Sequence, residues 1–496
     1  MEFQEAGTAV VSGDLDVIGQ HPANGISVLI VGSGIGGLSA ARELWRIGCD
    51  VTVLERQPSE VLTGDSFTIG PSVRRSLSRF PRLEREVDAL SWDPVMHMRD
   101  LGGRLVRGPM ERTDMLSARA KAALPGCKLS RQSRPRLYVA MLEHLRRVGV
   151  PVEHSAEVRA YFEDGNRGRA GVVLRDGSRR EADLVIAADG IHGRSWELVL
   201  GEEVPARPSG DAMFRVSYPF GGGLYDPVID AEYPLLEGDR PQVNGYIGLD
   251  IQLFIARTHD EISWSLAHKV CQNDTILLMY CANRCGQDDG RARESWDHHP
   301  PVEKALELLE EHKELPEAVR RVIRATPPGT LVDYRIMWRD PQRKWTSPAG
   351  RVLQLGDAAH TFHPSSGNGG TQAVEDAVSI AKCLSIAGKG GVEWATRVSN
   401  LLRFERVSCL QAFGIYNQAS KKKGGALGEL GHWIIAHDPE AYAAEKYEEA
   451  LSHLQHGTPF VSTNTPPGMV YAPWSIDTLV DEHENGAVTV LGGDWS

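Results

Sequence analysis

The stretch ISVLIVGSGIGGLSAARELWRIGCDVTVLE, residues 26–55, limits the possible folds more than any other part of the chain. Its first residues, Ile26 to Val31, form a continuous apolar run, as expected of a strand covered on both faces. Leu38 to Gly48 has helical spacing and closes on a stop glycine, and Asp50 to Glu55 reads as a second strand. Strand, helix and strand within about thirty residues make a βαβ unit with two parallel strands in one sheet.

The turn of this unit holds Gly32, Gly34, Gly36 and Gly37, in a Gly-x-Gly-x-x-Gly arrangement. Gly32 allows the tight turn, Gly34 lets the backbone approach a pyrophosphate, and Gly37 lets the helix pack on the strand. Phosphates then lie at the positive end of the helix, where free amides point at them. Glu55 ends the second strand, with Arg56 beside it. A carboxylate there accepts hydrogen bonds from ribose hydroxyls and repels a 2′-phosphate, so the pattern predicts bound FAD or NAD and not NADP. The bland alternative is a glycine-rich turn with no ligand. The flanking strand, the helix and Glu55 favour the dinucleotide.

With 496 residues the chain is long enough for two or three domains. A net charge of -12 argues against a nucleic-acid partner, which would need a basic face. Lys421 to Lys423 read as a solvated helix end. No apolar run is long enough to span a membrane, although an amphipathic peripheral contact remains open. The N-terminus lacks the basic-then-apolar order of a signal peptide. Cys49, Cys127, Cys271, Cys281, Cys285, Cys383 and Cys409 are scattered, which suggests reduced thiols and a cytoplasmic protein. Cys281 and Cys285 have no second ligand pair to make a zinc site with.

A second glycine cluster lies about three hundred residues on, in LQLGDAAHTFHPSSGNGG (353–370). It begins as a strand, turns at Gly356-Asp357, and passes through Pro364, Gly367, Asn368, Gly369 and Gly370 into the helical pattern GTQAVEDAVSIAKCL. Between the clusters, DLVIAADG (183–190) reads as a buried strand ending at Asp189-Gly190. From about Asp211 to Trp264 short alternating segments predict antiparallel sheet. The run 301–326 reads as helix, as does about Val392 to Lys423, and the tail rich in proline and tryptophan reads as an extended arm.

These three motifs, in this order over roughly residues 26–420, make the chain resemble the class A flavoprotein monooxygenases, the para-hydroxybenzoate hydroxylase-like family. Within that family it is most similar to salicylate hydroxylase-like enzymes of fungal secondary metabolism. The resemblance implies an α/β protein with an α+β substrate domain. It implies a Rossmann-like FAD-binding domain, an inserted mostly antiparallel sheet domain and a helical C-terminal region. On this reading 1–25 is a flexible leader and 26–210 is the first part of the FAD domain, interrupted at about 85–130 by a substrate-domain segment. Residues 211–331 form the substrate sheet, 332–395 return to the FAD domain, and 396–496 are a C-terminal helix and tail.

The resemblance also assigns roles. Asp357 accepts a hydrogen bond from the ribityl chain of non-covalent FAD, and Asp189 serves the cofactor from its Asp-Gly motif. Gly367 to Gly370 aim backbone amides at the flavin edge that becomes negative on reduction, aided by the positive end of the following helix. Asn368 stands where the family has glutamine. Arg134, opening the helical run 134–150, matches the family arginine near the FAD ribose and pyrophosphate. After the Asp-Gly motif the family has serine and arginine where this chain has Gly193 and Trp196, which leaves NADH against NADPH undecided.

The implied reaction consumes NAD(P)H and O2, and inserts one oxygen atom into a phenol or related aromatic through a flavin C4a-hydroperoxide. A cation near the phenol lowers its pKa and makes the ring more electron-rich. Arg215 is the candidate, though a strand arginine can equally face solvent. Tyr246 and His259, on later segments of the sheet, are candidates to touch the phenol oxygen, against ordinary packing roles. His363 and Pro364 lie in the loop beside the flavin. His360 is expected to pack on the cofactor side, and the spacing of His360 and His363 in a loop gives no metal site. The family chemistry also covers oxidative decarboxylation and epoxidation. The Trp-x-Trp-x-Ile-Pro run of the related halogenases is missing. A non-catalytic flavin scaffold is the remaining alternative, and the chain is expected as a monomer or homodimer.

Overall fold

The computed structural model describes residues 19–496 apart from 63, 65, 125–128, 203, 205, 221–225, 249–250, 270–298, 423–430 and 486–490. Cys127, Cys271, Cys281, Cys285 and the leader up to residue 18 lie outside the described residues.

The βαβ unit forms as its pattern predicts. Ser27–Val31 is the middle strand of a five-stranded parallel sheet, in the order Val352–Gln354, Leu184–Ala187, Ser27–Val31, Asp50–Leu54, Val152–Glu153. Its continuous apolar run divides by the two-residue strand period. Val28 and Ile30 pack with the helices Ile35–Arg46, Arg134–Arg147 and Gly369–Ala387. Leu29 and Val31 pack on the other face, with Tyr161, Ala170 and Val172 of a three-stranded antiparallel meander, Val158–Asp164, Arg169–Leu174 and Arg179–Ala182. The strands 183–190 and 353–355 anticipated from sequence are thus neighbours in this sheet, which brings the Asp-Gly and Gly-Asp turns to one end of it.

The second layer is a seven-stranded sheet, ordered Val332–Trp338, Arg207–Pro219, Glu261–Lys269, Gln252–Arg257, Gln242–Ile247, Val95–Arg99, Leu105–Met110. All its pairs are antiparallel except Gln242–Ile247 beside Val95–Arg99. Alternation again sorts the side chains. Phe214, Val216, Tyr218, Trp264 and Leu266 face the helices Glu303–Leu308 and Glu317–Arg324 in a core of their own. The Tyr218 hydroxyl donates to the Val322 carbonyl at 2.7 Å. Asp211, Met213 and Arg215 occupy the alternate positions and line the space toward the first layer.

Three details differ from the sequence reading. The run 301–326 is two helices: the first ends at Leu308, and the second starts after Pro316, which serves as its N-cap. The strand Val332–Trp338, assigned from sequence to the returning FAD domain, is an edge strand of the seven-stranded sheet, and extends that unit past residue 331. The tail contains an 18-residue helix, Pro439–His456. Its signals are local. The Asp438 carboxylate accepts from the amides of Glu440 and Ala441, Pro439 fits the first turn, and Gly457 closes the helix with φ 70°. Its buried stripe, Ala443, Tyr447 and Ala450, packs into the helical core. The long helix ends at Lys422. Among the described residues no helix is long and apolar enough to cross a membrane.

Candidate active site

Between the two layers lies a cavity of about 810 Å³, lined by both glycine clusters and by the inner face of the seven-stranded sheet. The first cluster is shaped by close backbone contact. Gly32 has φ 101°, and a Cβ there would stand 2.4 Å from the Ala188 carbonyl oxygen. A Cβ at Gly37 would stand 1.9 Å from the Gly32 carbonyl oxygen. Gly36 touches the second cluster, since a Cβ there would meet Leu355 at 2.7 Å and Ala373 at 3.2 Å. Gly34 alone has open space in front of it. It is the N-cap of Ile35–Arg46 and brings no side-chain cap, so the first amides of that helix are left for another acceptor.

Glu55 ties the second strand to this loop. Its Oε2 accepts from the Ser33 amide at 2.9 Å and the Ser33 hydroxyl at 2.7 Å, and its Oε1 from the Gln57 amide at 2.9 Å. Two carboxylate oxygens offer about four lone-pair sites. The carboxylate is therefore oriented with capacity left for one more donor. Arg56 and Arg134 line the same end, and Arg134 is the first residue of its helix, as predicted.

Asp189 has a different task. Its carboxylate accepts from the Tyr161 hydroxyl at 2.7 Å, the Arg194 amide at 2.9 Å, and the Ser195 hydroxyl at 3.2 Å. It thus folds the turn 189–195 around itself at the cavity edge. Burial raises its pKa, and the hydrogen bonds oppose that. This geometry also accounts for Gly193. A Cβ at 193 would stand 2.1 Å from the Asp189 carboxyl carbon, so the position expected to hold a serine is filled by the carboxylate.

The second cluster is shaped by turns. Gly356 has φ 63°, and the turn it starts presents Asp357 to the cavity. The Asp357 side chain is open to that space, yet the protein around it raises its pKa by desolvation, against the pull of His360, Arg134 and Arg339. Pro364–Ser366 is a single helical turn, and the His363 Nδ1 accepts the Ser365 amide at 3.1 Å. Gly367 follows with φ 61° and nothing within reach of a Cβ. Asn368 turns its side chain back to the Ser366 carbonyl at 2.7 Å and so leaves the amides of the helix Gly369–Ala387 uncapped.

Behind this loop stands a buried ionic network that the sequence reading missed. Asp376 accepts from the Gly356 amide at 3.2 Å, pairs with His360 Nε2 at 2.6 Å, and accepts from Arg403 at 2.9 Å. Arg403 also donates to Glu375 at 2.8 Å, and Arg406 donates to Glu375 at 2.9 Å and to the carbonyls of Trp433, Ile434 and Asn464. Burial works to raise the pKa of Glu375, but Arg406 and Arg403 overcome it and hold it at about 2. His360 therefore braces the Gly-Asp turn from behind, while His363 lines the cavity. Among the described residues no group of three His, Cys, Asp or Glu side chains is placed to hold a metal.

Of the candidate substrate residues, Arg215, His363 and Pro364 line the cavity. The Arg215 guanidinium carbon lies 5.3 Å from the Tyr334 ring centre. Tyr246 does not join them. It is fully buried in the core on the far face of the sheet, with its hydroxyl 2.9 Å from that of Tyr233, and burial pushes its pKa up to about 12. His259 does not either. It sits exposed in the turn between Gln252–Arg257 and Glu261–Lys269. The two-residue strand period explains the first displacement, since Tyr246 falls on the far-face parity, whereas His259 falls beyond the strand end. Residues missed from sequence are Asp211, Tyr334, Lys269 and Gln418. The spacing 211, 213, 215 carried a signal for the first. Gln418 is brought in by the long helix, and had none.

The residues present fit FAD. Two helix N-termini without side-chain caps, the open side of Gly34, the oriented Glu55 carboxylate and the Asp357 carboxyl all border one continuous cavity. Comparison with known proteins agrees. The FAD binding domain family matches residues 25–206 and 310–395. The FAD-dependent monooxygenase fsr3 of Gibberella fujikuroi is 36% identical, covering 97% of this chain and 92% of its own. The crystal structure of FqzB superposes with a TM-score of 0.72 at 29% identity, covering 90% of this chain and 98% of that one. The crystal structure of CtdE in complex with FAD gives 0.71 at 27% identity, covering 86% and 99%. With the cavity and these relatives in agreement, the chain belongs to the FAD-dependent monooxygenases.

Proposed function

We propose that this enzyme uses NAD(P)H and O2 to insert one oxygen atom into a phenolic or related aromatic small molecule, in a cytoplasmic step of fungal secondary metabolism. The observation that supports this reading is the arrangement of Arg215 and His363. They enter one cavity from opposite layers, the first from the sheet and the second from the loop beside the cofactor site. When bound, FAD supplies the redox chemistry, drawing electrons from the nicotinamide and passing them to O2. The chain supplies position and electrostatics. Glu55 and the amides after Gly34 hold the adenosine diphosphate end. Asp357 and the amides after Asn368 hold the ribityl and ring end, where the helix dipole favours negative charge.

Arg215 holds the substrate oxygen as phenolate, because an adjacent guanidinium lowers a phenol's pKa. Its guanidinium lies over the Tyr334 ring, which favours the cation. Met213, Phe254, Ile336 and Met337 line the same space with apolar surface, which keeps water from the reacting centre. The test is a panel of phenolic acids added to purified enzyme with NADPH or NADH. A substrate should accelerate bleaching of the flavin and yield a product heavier by one oxygen. Loss of CO2 would redirect the reading to oxidative decarboxylation, and addition across an alkene to epoxidation. No oxidation of either nicotinamide under any condition would leave only a flavin-binding scaffold.

A further inference from the structure

The sheet wall of the cavity carries a polar cluster for which the proposed chemistry has no use. Asp211 accepts from the Lys269 ammonium on the neighbouring strand and from the Gln418 amide on the long helix. Three elements far apart in sequence thus meet on one carboxylate, and all three side chains line the cavity. The Lys269 side chain is 47% exposed. A pair left that open contributes little to stability. An ammonium has three donors, and Asp211 engages one. Since Asp211 cancels the Lys269 charge, the cluster offers hydrogen bonds without net charge.

Its position along the strand matters. Asp211, Met213 and Arg215 occupy alternate positions of one strand, so the Cα atoms of Asp211 and Arg215 are roughly 13 Å apart. Met213 stands between them, flanked in register by Ala267 on one side and Tyr334 on the other. Arg215 leans inward, with its Nε 3.2 Å from the Met213 sulfur. The wall therefore has a cation at one end, an apolar and aromatic middle, and a neutral donor cluster at the other end.

We propose that Asp211, Lys269 and Gln418 form a second substrate subsite. It takes a neutral hydroxyl or carbonyl oxygen at the far end of an extended aromatic substrate whose near end carries the phenol held by Arg215. This rests on the reading of the cavity as that of an aromatic monooxygenase, and narrows the substrate class from single-ring phenols to fused or elongated aromatics oxygenated at both ends.

The experiment titrates flavin-loaded enzyme with 2-naphthol and with 2,6-dihydroxynaphthalene, and reads binding from the perturbed flavin absorbance, without turnover. The diol should bind about tenfold more tightly, the effect of one added hydrogen bond to a charged donor. Lys269→Met should abolish the preference and leave 2-naphthol affinity unchanged. Asp211→Asn/Lys269→Met, which leaves no uncompensated carboxylate, should do the same. Equal binding of the two ligands by the wild type, or a preference that survives both variants, overturns the subsite alone. Protein that holds no flavin overturns the reading of the cavity, and the subsite with it.

Discussion

At Gly37 an added Cβ would stand 1.9 Å from a backbone carbonyl oxygen, whereas at Gly367 it would meet nothing within 4 Å. The two glycine cradles thus rely on the same residue for different reasons. In the first, glycine is there so that a helix, a turn and a neighbouring loop can touch backbone to backbone. In the second, glycine supplies a left-handed turn, and the support comes from charged side chains packed behind it. The first cradle holds its shape by exclusion of atoms, the second by an ionic lattice. The two should fail differently.

The largest effect is expected at Gly37. Gly37→Ala forces the Gly32 turn and the helix Ile35–Arg46 apart, and the neighbour is backbone that has no way to yield. The expected outcome is protein that emerges colourless and stays so after incubation with FAD, read from its visible spectrum. Recovery of normal yellow protein would show that the two contacts are not as tight as the geometry requires.

Next comes Glu375→Gln, which strikes the lattice behind the second cradle. It leaves Arg403 and Arg406 buried without their shared counter-charge, at a cost of about 3–5 kcal/mol in urea unfolding. A pH signature distinguishes this from a packing defect. The folded-state pKa of Glu375, about 2, lies below its ordinary value of 4.5. Its contribution is therefore complete above the ordinary value and is lost as pH falls from there through about 2. Wild-type stability should decline across that window, and the variant should show a shallower decline in the same acid titration.

These two cases also show what sequence makes legible. The first cradle was readable because its constraint is local: strand, three spaced glycines, helix and Glu55 fall within thirty residues, and each position has one steric reason. The second was readable only through the family motif, since nothing in a loop of glycines says what stands behind it. Arg403 and Arg406 reach Glu375 from a different helix, and that pairing follows from helix packing that no local pattern states. Tyr246 was misplaced for a related reason. Alternation says that a strand has two faces, but which face meets the cavity is fixed only when helices Glu303–Leu308 and Glu317–Arg324 cover the other.

A smaller effect is expected at Gly367. Gly367→Ala places a side chain in the left-handed region at φ 61°, which costs about 1–2 kcal/mol, and it clashes with no protein atom. The variant should be less stable by about that amount in the same urea assay and still bind FAD. Loss of flavin on the scale of Gly37→Ala would show that the second cradle is as sterically closed as the first.

The smallest effects should come from Tyr246 and His259, both outside the cavity, and they sharpen the contrast by bounding it. Tyr246→Phe removes one hydroxyl from a buried pair with Tyr233, worth about 1 kcal/mol of stability. The ring stays in place, so the core on the far face keeps its packing, and KM and kcat for any substrate found should be unchanged. His259→Ala lies in an exposed turn and should move stability by no more than about 0.5 kcal/mol. Neither residue reaches the cavity except through a reorganised sheet. A large rise in KM for Tyr246→Phe, without a matching loss of stability, would mean that the sheet face carrying Arg215 and Asp211 is not the one that meets the substrate, since side-chain parity puts Tyr246 on the opposite face.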